Sequence, residues 1–225
     1  MLQILAATSN MHKVEEFRTA FIPIQDKIQI ITMNDIPPFT LPEETGTTFE
    51  ENAMIKAKAA SAFADLPAFA DDSGLEVEAL GGAPGIYSSR YAGENATDAD
   101  RIAKLLRELE GKTDRRARFV CAAALAYRGM EVKTFRGVVN GEILLQPAGS
   151  NGFGYDPVFK PDGYDRSFGE LGAEIKDRIS HRAHALEQLV AFIRPNSIPW
   201  TISSSNEKTS LHRPLLLRRR ALRGG

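Results

Sequence analysis

Cysteine is almost missing from these 225 residues: Cys121 stands alone, inside the apolar run from Phe119 to Leu125. One thiol cannot build a disulfide framework or a cysteine-based zinc site, and its apolar setting marks it as a small buried hydrophobe. That usage suits a reducing compartment, so a cytoplasmic protein is expected. Nothing approaches the ~18 uninterrupted apolar residues that a membrane span requires. The start MLQILAATSN also lacks the basic flank and long apolar stretch of a signal peptide. A surplus of basic charge is missing too. Residues 195–225 carry six Lys/Arg and one acid, a net of +5, which leaves 22 Lys/Arg against 28 acids, a net of −6, over 1–194. Such an acidic body argues against a general nucleic-acid surface, and neither nucleic acid nor membrane is expected as a partner. An anionic ligand would need locally placed cations or a metal. There are no internal repeats.

What is present is ordinary globular material, 43% apolar and 25% charged. Gln3 to Ala7 reads as a strand, and Asn10 to Phe21 as a helix with Val14, Phe17 and Phe21 on one face. Ile28 to Thr32 is a second strand, and Asn34 to Gly46 a loop rich in proline and acids. Thr47 or Thr48 can cap a helix running to about Ala64, with Glu50 or Glu51 completing a capping box. Leu66 to Ala70 reads as a buried strand and Leu75 to Leu80 as its partner, with Asp71-Asp72-Ser73-Gly74 between them. After a glycine-rich loop, Thr97 caps a helix through Leu109. Arg118 to Arg128 and Met130 to Val139 form a hairpin, and Ser180 caps a last helix with Leu186, Leu189, Val190 and Ile193 inward. Strands and helices mix without strict alternation, so an α/β domain on one continuous sheet is expected over 1–194. The basic, low-complexity segment 195–225 is expected to be a disordered tail.

Five segments carry chemistry. Thr8-Ser9-Asn10-Met11-His12-Lys13 joins a strand to a helix, offering short hydrogen-bonding side chains, free helix N–H groups and a cation to a phosphate. It is no Walker loop, for it has no glycine. As individual residues, His12 and His184 read as ordinary surface histidines. Glu43-Glu44-Thr45-Gly46 leads into a helix on which Asn52 and Lys56, four residues apart, share a face. In Asp71-Asp72, strand alternation sends one acid to the face of Phe69 and the other to that of Ala68 and Ala70, so the two cannot do the same job. Ser73-Gly74 reads as a turn that lets a ligand approach. In Gly152-Phe153-Gly154-Tyr155-Asp156, the flanking glycines expose a ring on which a flat ligand can stack. Lys176 with Ser180-His181-Arg182 places three potential cations at a helix N-terminus, against the macrodipole, so something negative, or a carbonyl oxygen, is expected to compensate them.

In this order the stretches TSNMHK, EETGTTFEENAMIKA, FADDSGLEVEALGGAPGIYSSRYAG, SNGFGYDPVF and ISHRAHAL resemble the inosine/xanthosine triphosphate pyrophosphatases, the house-cleaning XTP/dITP diphosphatase family. The resemblance covers about 1–194. It implies an elongated mixed β-sheet flanked by helices, two lobes around a nucleotide-binding cleft, and a homodimer. It also implies Mg²⁺-dependent hydrolysis of 6-oxo purine nucleoside triphosphates to the monophosphate and pyrophosphate. By the same resemblance Glu44 and Asp72 are metal-site acids and Asp72 is the general base. The segment Thr8, Ser9, Asn10, Met11, His12 and Lys13 takes the triphosphate with help from Lys56, and Ser73 lines the pocket. Phe153, Gly154, Tyr155 and Asp156 form the base loop, opposite Lys176, His181 and Arg182. Asp71 receives no catalytic role. On the residues alone, a pyrophosphatase for other modified nucleotides and a nucleotide-binding protein without turnover stay open. An aspartyl-phosphate phosphatase would need Asp-x-Asp, whereas these acids are adjacent.

Overall fold

The computed structural model describes residues 1–194; the tail expected over 195–225 lies outside the described residues. Six strands, β1 (Leu2–Ala6), β2 (Ile28–Thr32), β3 (Ala68–Val77), β4 (Arg116–Tyr127), β5 (Met130–Ile143) and β6 (Phe159–Pro161), form one sheet in the order β2-β1-β3-β4-β5-β6. β1 runs parallel to β2 and β3, and the remaining pairs are antiparallel. The mixed α/β sheet expected from the sequence is therefore the one observed. Five helices flank it: α1 (Met11–Phe21), α2 (Phe49–Ala64), α3 (Asp98–Glu108), α4 (Ala173–Ile179) and α5 (His181–Ile193). Among the described residues no helix is long and apolar enough to cross a membrane.

Caps set the helix starts. Asn10 accepts from His12 N and Lys13 N, Thr48 accepts from Glu51 N, and Ser180 accepts from Ala183 N. Thr97 and Asp100 form a full capping box at α3. The Glu51 carboxylate reaches back one residue further than a capping box would, accepting from Thr47 N and Oγ1.

Two expectations are corrected. The two strands expected over Leu66 to Ala70 and Leu75 to Leu80 are one ten-residue strand, β3, from Ala68 to Val77, because β4 pairs with it residue by residue, and Glu78–Leu80 turns off as a 3-10 segment. Asp71 lies opposite Ala123 and Asp72 opposite Ala122, so the ladder runs straight through the acids and Ser73-Gly74 is no turn. Gly74 is required for a different reason. A Cβ there would lie 2.3 Å from the Gly85 carbonyl oxygen and 2.5 Å from Ser88 Oγ, so its absence lets the 3-10 segment Gly85–Arg90 pack onto the strand. The hairpin strands are also longer than expected, β5 reaching Ile143, and the short β6 and α4 carry too little periodicity to be seen in the sequence.

The alternation of β3 divides the core. Phe69 packs with Phe17, Phe21, Leu186 and Leu189 on one face of the sheet. On the other, Ala68, Ala70, Ala122 and Ala124 receive Ala53, Ala57 and Ala60 of α2. Small side chains on both partners let the helix lie close over the central strands. A third cluster, with Leu75, Val77, Leu105, Phe119, Phe159 and Phe168, builds a second lobe at the other end of β3 and β4. Cys121 is fully buried among Ala123 and Ala185, as its apolar context predicted.

Candidate active site

A cleft of about 930 Å³ lies between these lobes. Every residue singled out for the site lines it except Met11, whose side chain is half exposed on α1 outside the cleft. Five segments distant in sequence meet there because β1, β3 and the starts of α1 and α5 end at the same place. At one end Thr8 Oγ1 accepts from Asn10 N at 3.2 Å and so shapes the strand-to-helix junction. Ser9 and Asn10 are exposed beside it.

The two acids separate as alternation requires. Asp71 is 2% exposed and accepts from Lys13 Nζ at 2.9 Å and from Arg182 Nε at 3.0 Å. Burial alone would raise its pKa, but Lys13, Arg182 and Lys56 together outweigh burial and hold the carboxyl far below the usual carboxylate range. Asp72 points to α2. Its Oδ2 accepts from Asn52 Nδ2 at 3.1 Å and its Oδ1 from Ser73 N at 3.0 Å, with Lys56 Nζ 3.8 Å away. Here burial wins, reinforced by the negative charge of Glu44, and the Asp72 pKa is raised despite Lys56. Adjacent residues thus have opposite proton affinities.

Lys56 Nζ also donates to Glu44 Oε1 at 2.5 Å, and Arg90 stands 3.7 Å from Glu44 Oε2. Glu44 and Asp72 therefore converge on one cation position. Among the described residues no cluster of three or more His, Cys, Asp or Glu side chains could hold a metal by itself. Two hard carboxylates fit a cation that keeps several waters and takes its other oxygens from phosphate, rather than an all-protein cage.

At the other end of the cleft, Lys176 Nζ donates to Asp156 Oδ2 at 2.7 Å and lies 3.2 Å from Glu16 Oε1, while Arg182 donates to Glu16 and, at 2.8 Å, to Ser73 Oγ. Glu16, Asp71 and Asp156 supply the compensating negative charge expected near these cations. Burial would raise Glu16, but Arg182 and Lys176 outweigh it and lower its pKa. Asp156 goes the other way: burial raises its pKa more than Lys176 lowers it. His181 is not a third cation. It is buried and stacked on Phe119 at 4.7 Å, and burial together with Arg182 and Lys176 pushes its pKa well below the usual histidine value. Its Nδ1 has no hydrogen-bond partner among the described residues.

The loop from Gly152 to Asp156 is pinned through its backbone. Phe153 N donates to Asp156 Oδ2 at 2.8 Å, and Gly154 N to Asp98 Oδ2 at 2.7 Å. Gly152 has φ +75°, and a Cβ there would lie 2.0 Å from Asp156 Oδ2. Tyr155 is buried and its hydroxyl donates to the Ser88 carbonyl, so it supports the loop from behind. The Phe153 ring has Lys176 Nζ 4.3 Å from its centroid. His12, read from sequence as an ordinary surface histidine, lines the cleft and stacks on that ring. His184 instead contacts the Val138 carbonyl.

Sequence reasoning missed Glu16, Arg90 and Asp98, and it underrated Asn52, which braces Gly46 N and Asp72 together. Glu16 had a signal: it lies three residues from Lys13 on α1, hence on the same side, where the inward cations needed an anion. Arg90 closes a 3-10 segment and Asp98 is the first residue of α3, positions with no period to mark their direction.

The chain is similar to known proteins over nearly all of its described length. It is 48% identical over 196 residues to a dITP/XTP pyrophosphatase of Bacillus licheniformis, covering 86% of this chain and 98% of that one. It is 46% identical over 193 residues to a dITP/XTP pyrophosphatase of Staphylococcus aureus, covering 86% and 97%. The solved structure of the Staphylococcus aureus Ham1 protein superposes with a TM-score of 0.77 at 46% identity, covering 85% of this chain and 97% of the other. The family model described as the Ham1 family matches residues 4–192, and the chain belongs to that family.

Proposed function

We infer that this protein hydrolyses 6-oxo purine nucleoside triphosphates, ITP, dITP and XTP, to the monophosphate and pyrophosphate, clearing them from the nucleotide pool. Relatives at 46–48% identity named dITP/XTP pyrophosphatase support the activity. The observation that carries the chemistry is the split of Asp71 and Asp72 across β3, one neutralised by buried cations and the other left with a raised proton affinity beside Glu44 and Lys56.

In this reading Asn10, at the start of α1, and Lys13 bind the triphosphate. Lys56 stabilises charge developing on the departing pyrophosphate. Asp72 takes the proton of the attacking water, a contribution of roughly 10²- to 10⁴-fold. Glu44 and Asp72 would hold Mg²⁺, which when bound neutralises phosphate charge and orders the reacting groups. Phe153 stacks on the base, and Arg182, aligned by Asp71 and Glu16, donates to its 6-oxo oxygen. Adenine presents a donor at that position, and each unpaired buried group costs ~1–3 kcal/mol. The protein acts as a homodimer in the cytoplasm; a mass of one chain by light scattering would refute the first.

Incubation with Mg²⁺ and ITP or ATP, with products resolved, tests the reading. Inosine monophosphate and pyrophosphate are expected, with ATP turned over far more slowly. Release of inorganic phosphate, equal rates for ITP and ATP, or nucleotide binding without Mg²⁺-dependent turnover would overturn it.

A further inference from the structure

The His12 imidazole and the Phe153 phenyl ring lie with centroids 5.4 Å apart and planes 17° from parallel. They come from two separate walls of the cleft lining, His12 from the first turn of α1 and Phe153 from the loop before β6. The two walls differ in freedom. His12 is exposed, and the Asn10 cap holds only its backbone, leaving the side chain to turn about χ1. Phe153 is held by its backbone N–H on Asp156 and by the next N–H on Asp98.

We propose that His12 is the second jaw of an aromatic clamp, the nucleobase inserting between its imidazole and the Phe153 ring. The inference rests on the nucleotide reading above and adds a base-binding residue to it. A flat base needs a contact of about 3.5 Å on each side, so the rings must part by a small rotation of His12 alone. The rings are near parallel, as two faces closing on one flat ligand would be. His12 also sits one residue before Lys13 and two after Asn10, both assigned to the triphosphate. The same helical turn would therefore hold the phosphates through Asn10 and Lys13 and the base with its ring, fixing the distance between them. A polar ring suits this place, since it can leave the Phe153 face for water when the cleft is empty.

The test uses the full chain and separates base from phosphate. His12→Ala is expected to raise KM for ITP and the inhibition constant of inosine monophosphate by roughly five- to tenfold, at the lower end of base–aromatic stacking. The loss falls on KM rather than kcat, and inhibition by pyrophosphate stays at the wild-type value. His12→Phe is expected to restore KM to within about twofold, because ring stacking, not a proton, does the work. The proposal is overturned by an unchanged or lowered KM in His12→Ala, by equal losses in His12→Ala and His12→Phe, or by weakened pyrophosphate inhibition. A wild-type protein that fails to hydrolyse ITP is a separate result and refutes the proposed function instead.

Discussion

Asp71 and Asp72 share a strand, a residue type and a degree of burial, yet their surroundings make them different chemical groups. Asp71 faces two cations at hydrogen-bond distance, Lys13 and Arg182, whereas Asp72 faces Glu44 and a more distant Lys56. Substitution by asparagine should therefore have opposite consequences. Asp72→Asn removes a proton acceptor but also a carboxylate that repels Glu44, so the fold is expected to be as stable as wild type. Turnover of ITP should fall at least ~10²-fold. Near-full activity in a folded Asp72→Asn protein would sink the general-base assignment. Asp71→Asn takes a counter-ion from half-buried Lys13 and from buried Arg182, which keeps Glu16, and removing one partner of a buried pair costs about 3–5 kcal/mol. Urea unfolding of the two variants side by side measures this, and an Asp71→Asn protein as stable as Asp72→Asn would show that the buried cations do not depend on Asp71.

Between Asp72 and the second lobe lies Gly74, which shows what an element needs beyond its own residues. In β3 an alanine would be acceptable on backbone grounds, but its Cβ would strike the Gly85 carbonyl oxygen, an atom that cannot rotate away. Gly74→Ala should displace the Gly85–Arg90 segment and with it Arg90 beside Glu44. Overpacking of this kind costs about 1–3 kcal/mol. For a chain of this size that lowers the melting temperature by roughly 3–10 °C, as calorimetry would show; an unchanged melting temperature would mean the loop is free to shift. The same position explains why sequence reading went wrong there. Ser-Gly after two acids looks like a turn by local preference, and only the β4 ladder reveals a strand. Where period or a cap was strong, in α1, α2, α3, α5 and the β4–β5 hairpin, local pattern and tertiary structure agree. The Phe153 loop, the acids and the inward Arg182 were visible because each places a costly residue where packing alone would not. Glu16 stayed hidden because a charge on a helix looks the same facing water or a buried cation, and Asp98 because the first residue of α3 has no period to mark its direction.

At the scale of the molecule, the cleft unites buried charge of both signs, and acid should loosen it through one residue first. We propose that 1–194 is the complete folding unit, since the family match ends at residue 192 and both lobes are closed within it. A chain ending at Arg194 is expected to keep its melting temperature within about 2 °C and kcat/KM within about twofold; loss of either would assign the basic segment a structural part. In that unit His181 is buried, opposed by Arg182, Lys176 and Lys13, with only Asp71 favouring its protonation. Its folded pKa lies well below the ~6.5 of the unfolded chain. As pH falls through ~6.5, the unfolded state takes up a proton that the folded state refuses, so stability declines by up to about 1.4 kcal/mol per pH unit. Asp72 and Asp156, whose pKa values are raised, act in the opposite sense, because the folded state protonates them first. Glu16, held below the usual range, loses its contribution only as pH falls through its lowered folded value, under the ordinary carboxylate pKa. A comparison of wild type with His181→Gln isolates the histidine from these carboxylates. Between about pH 7.5 and about pH 5.5, urea unfolding should show the wild type losing roughly 1 kcal/mol more than the variant. Parallel curves would mean that His181 takes up its proton in the folded protein as readily as in the unfolded one.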